Sequence, residues 1–274
     1  AWLGGAYWVP SLWGYAPPHE SFSKAKAAMN TAIELDETCA EALGGIGWIA
    51  LHYDWDWENA KQSLKGSIKL NPNYSYGYHG LAWYWTIAGR FADAIDTMHA
   101  AIELDPLSHV LNNSLAIMYW YSGQDDKAIT QWDKTLKLVP GFVTALVYQA
   151  EHYLSMSMYR QAIQSIKKTM ELAGRMPRLL SMLGRAYALS AMKDEAETLL
   201  RELEEKGRTG YISPMNFAAL YANLGNTDEA FRWLDKAYEE RNPAMSFLKV
   251  DPSLNLLHSD PRFNKLLERM NLPL

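Results

Sequence analysis

Cysteine is nearly missing from this chain of 274 residues: Cys39 stands alone, which rules out an internal disulfide framework and a four-thiolate zinc site. One cysteine is tolerated in either redox compartment, and between helical segments Cys39 reads as a small apolar residue without chemistry. Long apolar runs are missing too. No stretch approaches the roughly 20 residues needed to cross a bilayer, so no membrane insertion is expected. The opening AWLGGAYW has no basic leader and is not expected to be a targeting segment. A net charge of −5 comes without any block of Lys and Arg. Nucleic-acid surfaces need such clusters to displace counterions, so no nucleic-acid partner is expected of this region.

The signatures of several catalytic and ligand-binding classes are also lacking. His19-Glu20 has no second histidine to complete HExxH, and no GxxxxGK[ST] phosphate loop occurs. The glycines of LGGIGW (Gly44, Gly45, Gly47) lack the GxGxxG spacing and follow no predicted strand, so they are read as sites of close helix packing. Asp54, Asp56 and Glu58 alternate like a calcium loop, but Asn59 stands where the loop needs glycine. Asp54 or Asp56 is read instead as a helix N-cap, with Trp55 and Trp57 packed in an enlarged turn. No Ser/His/Asp or Cys/His constellation can be assembled. The chain is not expected to be an enzyme, and neither a cofactor nor a metal is expected.

What the sequence does have is a period. Ala25, Ala60, Ala94, Ala128, Ala162, Ala196 and Ala230 are spaced by 35 residues once and then by 34 five times. Each unit divides into two helical halves. The first carries a large, a small and an aromatic residue on one helix face, as in Leu81, Ala82, Trp85 and Leu115, Ala116, Tyr119. The second carries the periodic alanine and a bulky residue four positions on, as in Ala94 and Met98. Gly89, Gly123 and Gly225 fall between the halves, where a helix end accepts a left-handed residue. Pro72, Pro106 and Pro140 follow the second half and stop it. Alanine is required where two antiparallel helices approach closely, and a larger group there would cost about 1–3 kcal/mol.

Helix–turn–helix units of this length and pattern resemble the tetratricopeptide repeat, over residues 1–244, as one partial and six full copies. The fold so implied is an all-α solenoid of paired antiparallel helices, wound into a right-handed superhelix. Leu3, Gly4 and Tyr7 match the first-helix triplet, so Ala1 falls inside a first helix and the chain is expected to be a piece of a longer protein. Pro17 and Pro18 then predict an extended loop. Residues 245–274 are expected to cap the same domain, through a helix begun by Asp260-Pro261 with Phe263, Leu266, Leu267 and Met270 on one face. YDWDWENA, LDPLS and KVDPSLNLLHSDPRF make the run similar to the tetratricopeptide region of multidomain bacterial signalling proteins. In that group the repeats follow a winged-helix, nucleotide cyclase or serine/threonine kinase output domain. Such a domain upstream in the parent chain is therefore a candidate intramolecular partner. Cytoplasmic location is favoured, and an extracytoplasmic one applies if the parent has an upstream membrane helix.

In such repeats the first helices line the concave side. The register then places Trp48, His52, Tyr76, His79 and Trp83 on that surface, followed by Asn113, Ile117, Trp120 and Tyr121. Ile87, Tyr148, Glu151, Arg178, Ser181 and Arg185 extend it. Aromatic rings on a rigid scaffold give contact area at low entropic cost. A bound protein or peptide is therefore the expected groove partner. A small-molecule sensor and a self-associating module (homo-oligomer) are the alternatives. Positions that hold Lys and Asn in chaperone-binding relatives of the repeat carry mainly Trp, Ile, Glu and small residues, so terminal-carboxylate recognition is not expected. Arg178 and Arg185 are plainly read as a solvated charged face, although either could hold an acidic group. Trp85, Tyr119, Tyr153, Tyr187 and Tyr221 take the buried filler position.

Overall fold

The computed structural model describes residues 1–272, and among these there is no β-strand. Seven antiparallel helix pairs succeed one another: α1 Trp2–Leu12 with α2 Pro18–Leu35, α3 Ala40–Ile49 with α4 Trp57–Leu70, and α5 Ser75–Ile87 with α6 Phe91–Leu104. They continue as α7 His109–Tyr121 with α8 Asp125–Leu138, α9 Val143–Ser155 with α10 Tyr159–Ala173, α11 Pro177–Leu189 with α12 Lys193–Gly207, and α13 Pro214–Asn223 with α14 Thr227–Glu239. Each pair packs on the next, giving the right-handed solenoid of paired helices that the period predicts.

Local chemistry sets the helix ends. The side chains of Asp56, Ser108, Asn226 and Asp260 each accept a backbone N–H of the first turn that follows them. Pro18 opens α2 at its first position, so the expected extended loop shrinks to residues 13–17; proline has no N–H to lose there. Between first and second helices the chain turns through one left-handed residue. Gly89, Gly123 and Gly225 have φ of +76°, +74° and +79°. The same register position holds Trp55, Ser157 and Ala191, at φ +56°, +57° and +60°. Trp55 ends a π-helical turn, Ala50–Asp54, that enlarges the second copy's connection.

All seven periodic alanines are fully buried, as close approach of paired helices requires. At Gly184, the matching small position of α11, an added Cβ would lie 2.8 Å from Leu220 Cδ1 of the next first helix. The filler aromatics are a correction. Trp85, Tyr119, Tyr153, Tyr187 and Tyr221 are only half-buried, and cations lie over several of them: Arg90 at 4.3 Å from Trp85, Lys127 at 5.5 Å from Tyr119 and Lys167 at 5.7 Å from Tyr187.

Seven copies complete a circuit. A Cβ on Gly14, after α1, would sit 3.1 Å from Ser213 Cβ at the start of α13. The second copy meets the C-terminal part of the chain through several contacts. Trp57 Nε1 donates to Met270 O at 3.1 Å, Arg241 Nη1 donates to Asp54 O at 3.2 Å, and the Arg241 guanidinium lies 4.5 Å from the Trp55 ring. One apolar cluster accordingly runs from copies two to four, with Ala145 of the fifth, into the last copy and the C-terminal segment.

That segment does two things. Helix α15, Pro261–Met270, covers the last pair as expected, with Phe263, Leu266 and Met270 buried and Arg262 and Arg269 paired to Asp228 and Asp235. The preceding 3₁₀ turns, Pro243–Phe247 and Pro252–Leu257, instead enter the concave side and pack on the second copy's π-helical turn, on α9 and on α13. A cap laid only on the end face is not what forms.

Candidate functional site

The circuit encloses a cavity of about 880 Å³. Every first helix contributes to its wall, and all twelve candidate groove residues line it, from Trp48 and His52 through Tyr76, His79, Trp83, Asn113, Ile117, Trp120, Tyr121 and Tyr148 to Arg178 and Arg185. Glu151 and Ser181 line it as well, whereas Ile87 is fully buried in the core. Three groups that the register did not single out complete the wall. These are Trp8, Val9 and Leu12 of α1, Met215 and Asn216 of α13, and Phe247 and Asp251 of the C-terminal segment. The first two follow from extending the same register to the terminal copies. No local signal marks the third, because it arrives through chain closure.

One end of the chamber is built from aromatic rings and two histidines. Phe247 sets its ring edge-on to Trp83 at 5.2 Å and lies 5.5 Å from His52. Trp48 lies between the histidines, 5.0 Å from His52 and 5.1 Å from His79. The indole of Trp83 can only donate, and it donates to His79 Nε2 at 2.9 Å; the proton of His79 is thereby assigned to Nδ1. Ser246 Oγ donates to Pro243 O at 2.8 Å, so His52 Nδ1–H donates to Ser246 Oγ at 3.0 Å. His79 Nδ1–H and the acceptor His52 Nε2 are left without protein partners among the described residues. Burial pushes both histidines down to about 3, so they are neutral across the physiological range.

Trp83 and Trp120 are each 8% exposed, and their N–H groups are already committed, Trp120 to Ser155 Oγ at 3.0 Å. They are therefore wall elements more than free anchors. Asn113 is different. Its Oδ1 accepts the Trp132 indole N–H at 3.1 Å, which fixes the amide orientation and turns its NH₂ away with no protein partner among the described residues.

The other end is charged, and here the solvated-face reading fails for Arg185, while Arg178 is half-buried. Arg185 is 5% exposed and its Nη1 reaches both oxygens of Glu151, at 3.0 and 2.9 Å, while its Nε has no partner among the described residues. A buried cation requires such a counter-charge. Arg178 lies 4.7 Å from the centre of the Tyr148 ring and has no carboxylate oxygen within 4.0 Å among the described residues. Tyr121 completes this end; burial, reinforced by the nearby Asp251 charge, raises its pKa well above the usual value, keeping it a neutral hydroxyl. No three His, Cys, Asp or Glu side chains gather to hold a metal ion among the described residues.

No protein-family model matches the chain, and no curated protein matches it in sequence. Solved structures do match. The chain is similar to the Cut9–Hcn1 hetero-tetramer of the APC/C at 15% identity and a TM-score of 0.65, covering 98% of this chain and 54% of that one, about half its length. It is similar to PilW, a type IV pilus biogenesis factor, at 15% identity and a TM-score of 0.57, over 85% of this chain and 99% of that one. It is also similar to TTC0263, a thermophilic TPR protein of Thermus thermophilus, at 16% identity and a TM-score of 0.52, over 72% and 97% of the two chains. At these identities the likeness is one of fold, the tetratricopeptide solenoid.

Proposed function

We propose that the chain is a non-catalytic binding module whose concave chamber takes a segment of a partner protein. The observation that supports this reading most is the chamber wall itself. Seven first helices and the C-terminal segment converge on one cavity of about 880 Å³, with aromatic rings at one end and charged groups at the other. Rigid rings, together with a few fixed donors such as the Asn113 NH₂, suit recognition of an apolar side chain and a polar backbone in one chain segment.

Tyr121 and Tyr148 are half-buried, face the chamber and pack only on the edge of the apolar cluster. Peptides selected on the folded protein from a displayed library should lose about ten-fold or more in affinity for a Tyr121→Ala/Tyr148→Ala variant with unchanged circular dichroism. Equal affinity for both proteins would remove the chamber as the site.

The volume also favours a second reading, since small-ligand pockets occupy about 300–1,000 Å³. On that reading the module senses a small apolar or aromatic compound, which would raise the melting temperature on binding. Service to an output domain in a longer signalling chain, and self-association, are further proposals. The first is motivated by YDWDWENA, LDPLS and KVDPSLNLLHSDPRF, the second by a first copy that matches the repeat only in part.

A further inference from the structure

We infer that the segment taken by the chamber is an acidic one, with an Asp or Glu side chain seated against Arg178, Tyr148 and Tyr121. The inference rests on the peptide-binding reading above and specifies its chemistry.

Glu151 is neutralised by Arg185, with both its oxygens taken. Arg178 is the cation left over: a side chain that cannot lose its proton in a protein, held over the Tyr148 ring, lining the cavity, and without a carboxylate in pairing distance among the described residues. A guanidinium in a partly desolvated wall gains most from a carboxylate, which accepts two of its N–H groups at once. The hydrogen-bonding inventory agrees. The Asn113 NH₂ has no partner among the described residues and the Tyr121 hydroxyl is neutral, so the unspent groups here are mainly donors suited to an acceptor-rich ligand.

The chain's own segment indicates what this surface accepts. Phe247 sits at the aromatic end and Asp251, four residues on, reaches the polar end near Tyr121. Asp251 accepts the backbone N–H of Ser253 at 2.9 Å and is not paired with Arg178. Its charge repels an incoming carboxylate from the Tyr121 side. Arg178 and Asp251 therefore act on an acidic ligand with opposite signs.

This gives a test in two directions. The probes are acetylated, C-terminally amidated octapeptides in matched pairs, Asp against Asn and Glu against Gln, drawn from sequences selected on the folded protein. Affinity is read by fluorescence anisotropy. The acidic member of each pair is expected to bind about ten-fold more tightly. Arg178→Gln should abolish that preference, Arg178→Lys should keep part of it, and Asp251→Asn, which preserves the turn cap, should increase it. Equal binding of acid and amide members, still lost in the Tyr121→Ala/Tyr148→Ala variant, overturns the acidic preference while the chamber reading survives. No binding of any octapeptide overturns both.

Discussion

His52 and His79 are neutral because the described residues around them offer no counter-charge. His52 faces Ser246, Phe247 and Trp48, and His79 faces Ser114, Trp83, Tyr76 and Trp48. Protonating either buries an unpaired cation. Their folded pKa of about 3 lies below the ordinary 6.5, so between these values the unfolded chain binds more protons. Their contribution to stability is complete above pH 6.5 and is lost as pH falls toward 3, at up to about 1.4 kcal/mol per pH unit for each histidine. Urea midpoints measured at pH 7 and pH 5 should therefore separate clearly, and His52→Gln/His79→Gln should narrow the separation even if it lowers both midpoints. An unchanged separation would mean that other groups carry the acid sensitivity.

The repeating element is a helix pair hinged on one left-handed residue, and the hinge is not equally comfortable in every copy. Glycine meets the requirement at positions 89, 123 and 225, whereas Ser157 and Ala191 hold the same backbone with a Cβ present. That costs about 1–2 kcal/mol per residue. Ser157→Gly and Ala191→Gly should each raise stability by about 1 kcal/mol, visible as a higher melting temperature. Trp55 supplies the internal control. It occupies the same position, but its ring packs 5.2 Å from Tyr238 and under Arg241. Trp55→Gly relieves the same strain while deleting those contacts, and is expected to destabilise.

The whole molecule is a closed circuit, and closure makes the chamber. Without the contacts of the second copy to residues 238–270, the C-terminal segment would not be held across the concave side. Trp57→Phe combined with Arg241→Ala removes two of these hydrogen bonds and the stacking on Trp55. A net cost on the order of 1 kcal/mol per hydrogen bond is expected. The effect should be local: faster amide exchange in residues 243–270, with α7–α10 unaffected. Acceleration spread evenly over all copies would instead make closure inseparable from the general stability of the solenoid.

Much of this was legible along the chain because the interactions responsible are short in sequence. The alanine period, the turn glycines, the caps and the terminal helix all act within one or two copies, and each leaves its residue type at a countable spacing. The same register placed the twelve candidate residues on a surface that does line the chamber, since a helix face is a local property. It could not tell which of them are free. Trp83 spends its N–H group on His79 one turn back in the same helix, Trp120 and Arg185 are bound to Ser155 and Glu151 one copy away, and Arg178 has no carboxylate partner among the described residues. Nor could spacing reveal the chamber's closure. The bonds from His52 to Ser246 and from Trp57 to Met270 join residues 194 and 213 positions apart. They exist because small rotations between neighbouring copies add up over seven of them to a full circuit, a sum that no single repeat encodes.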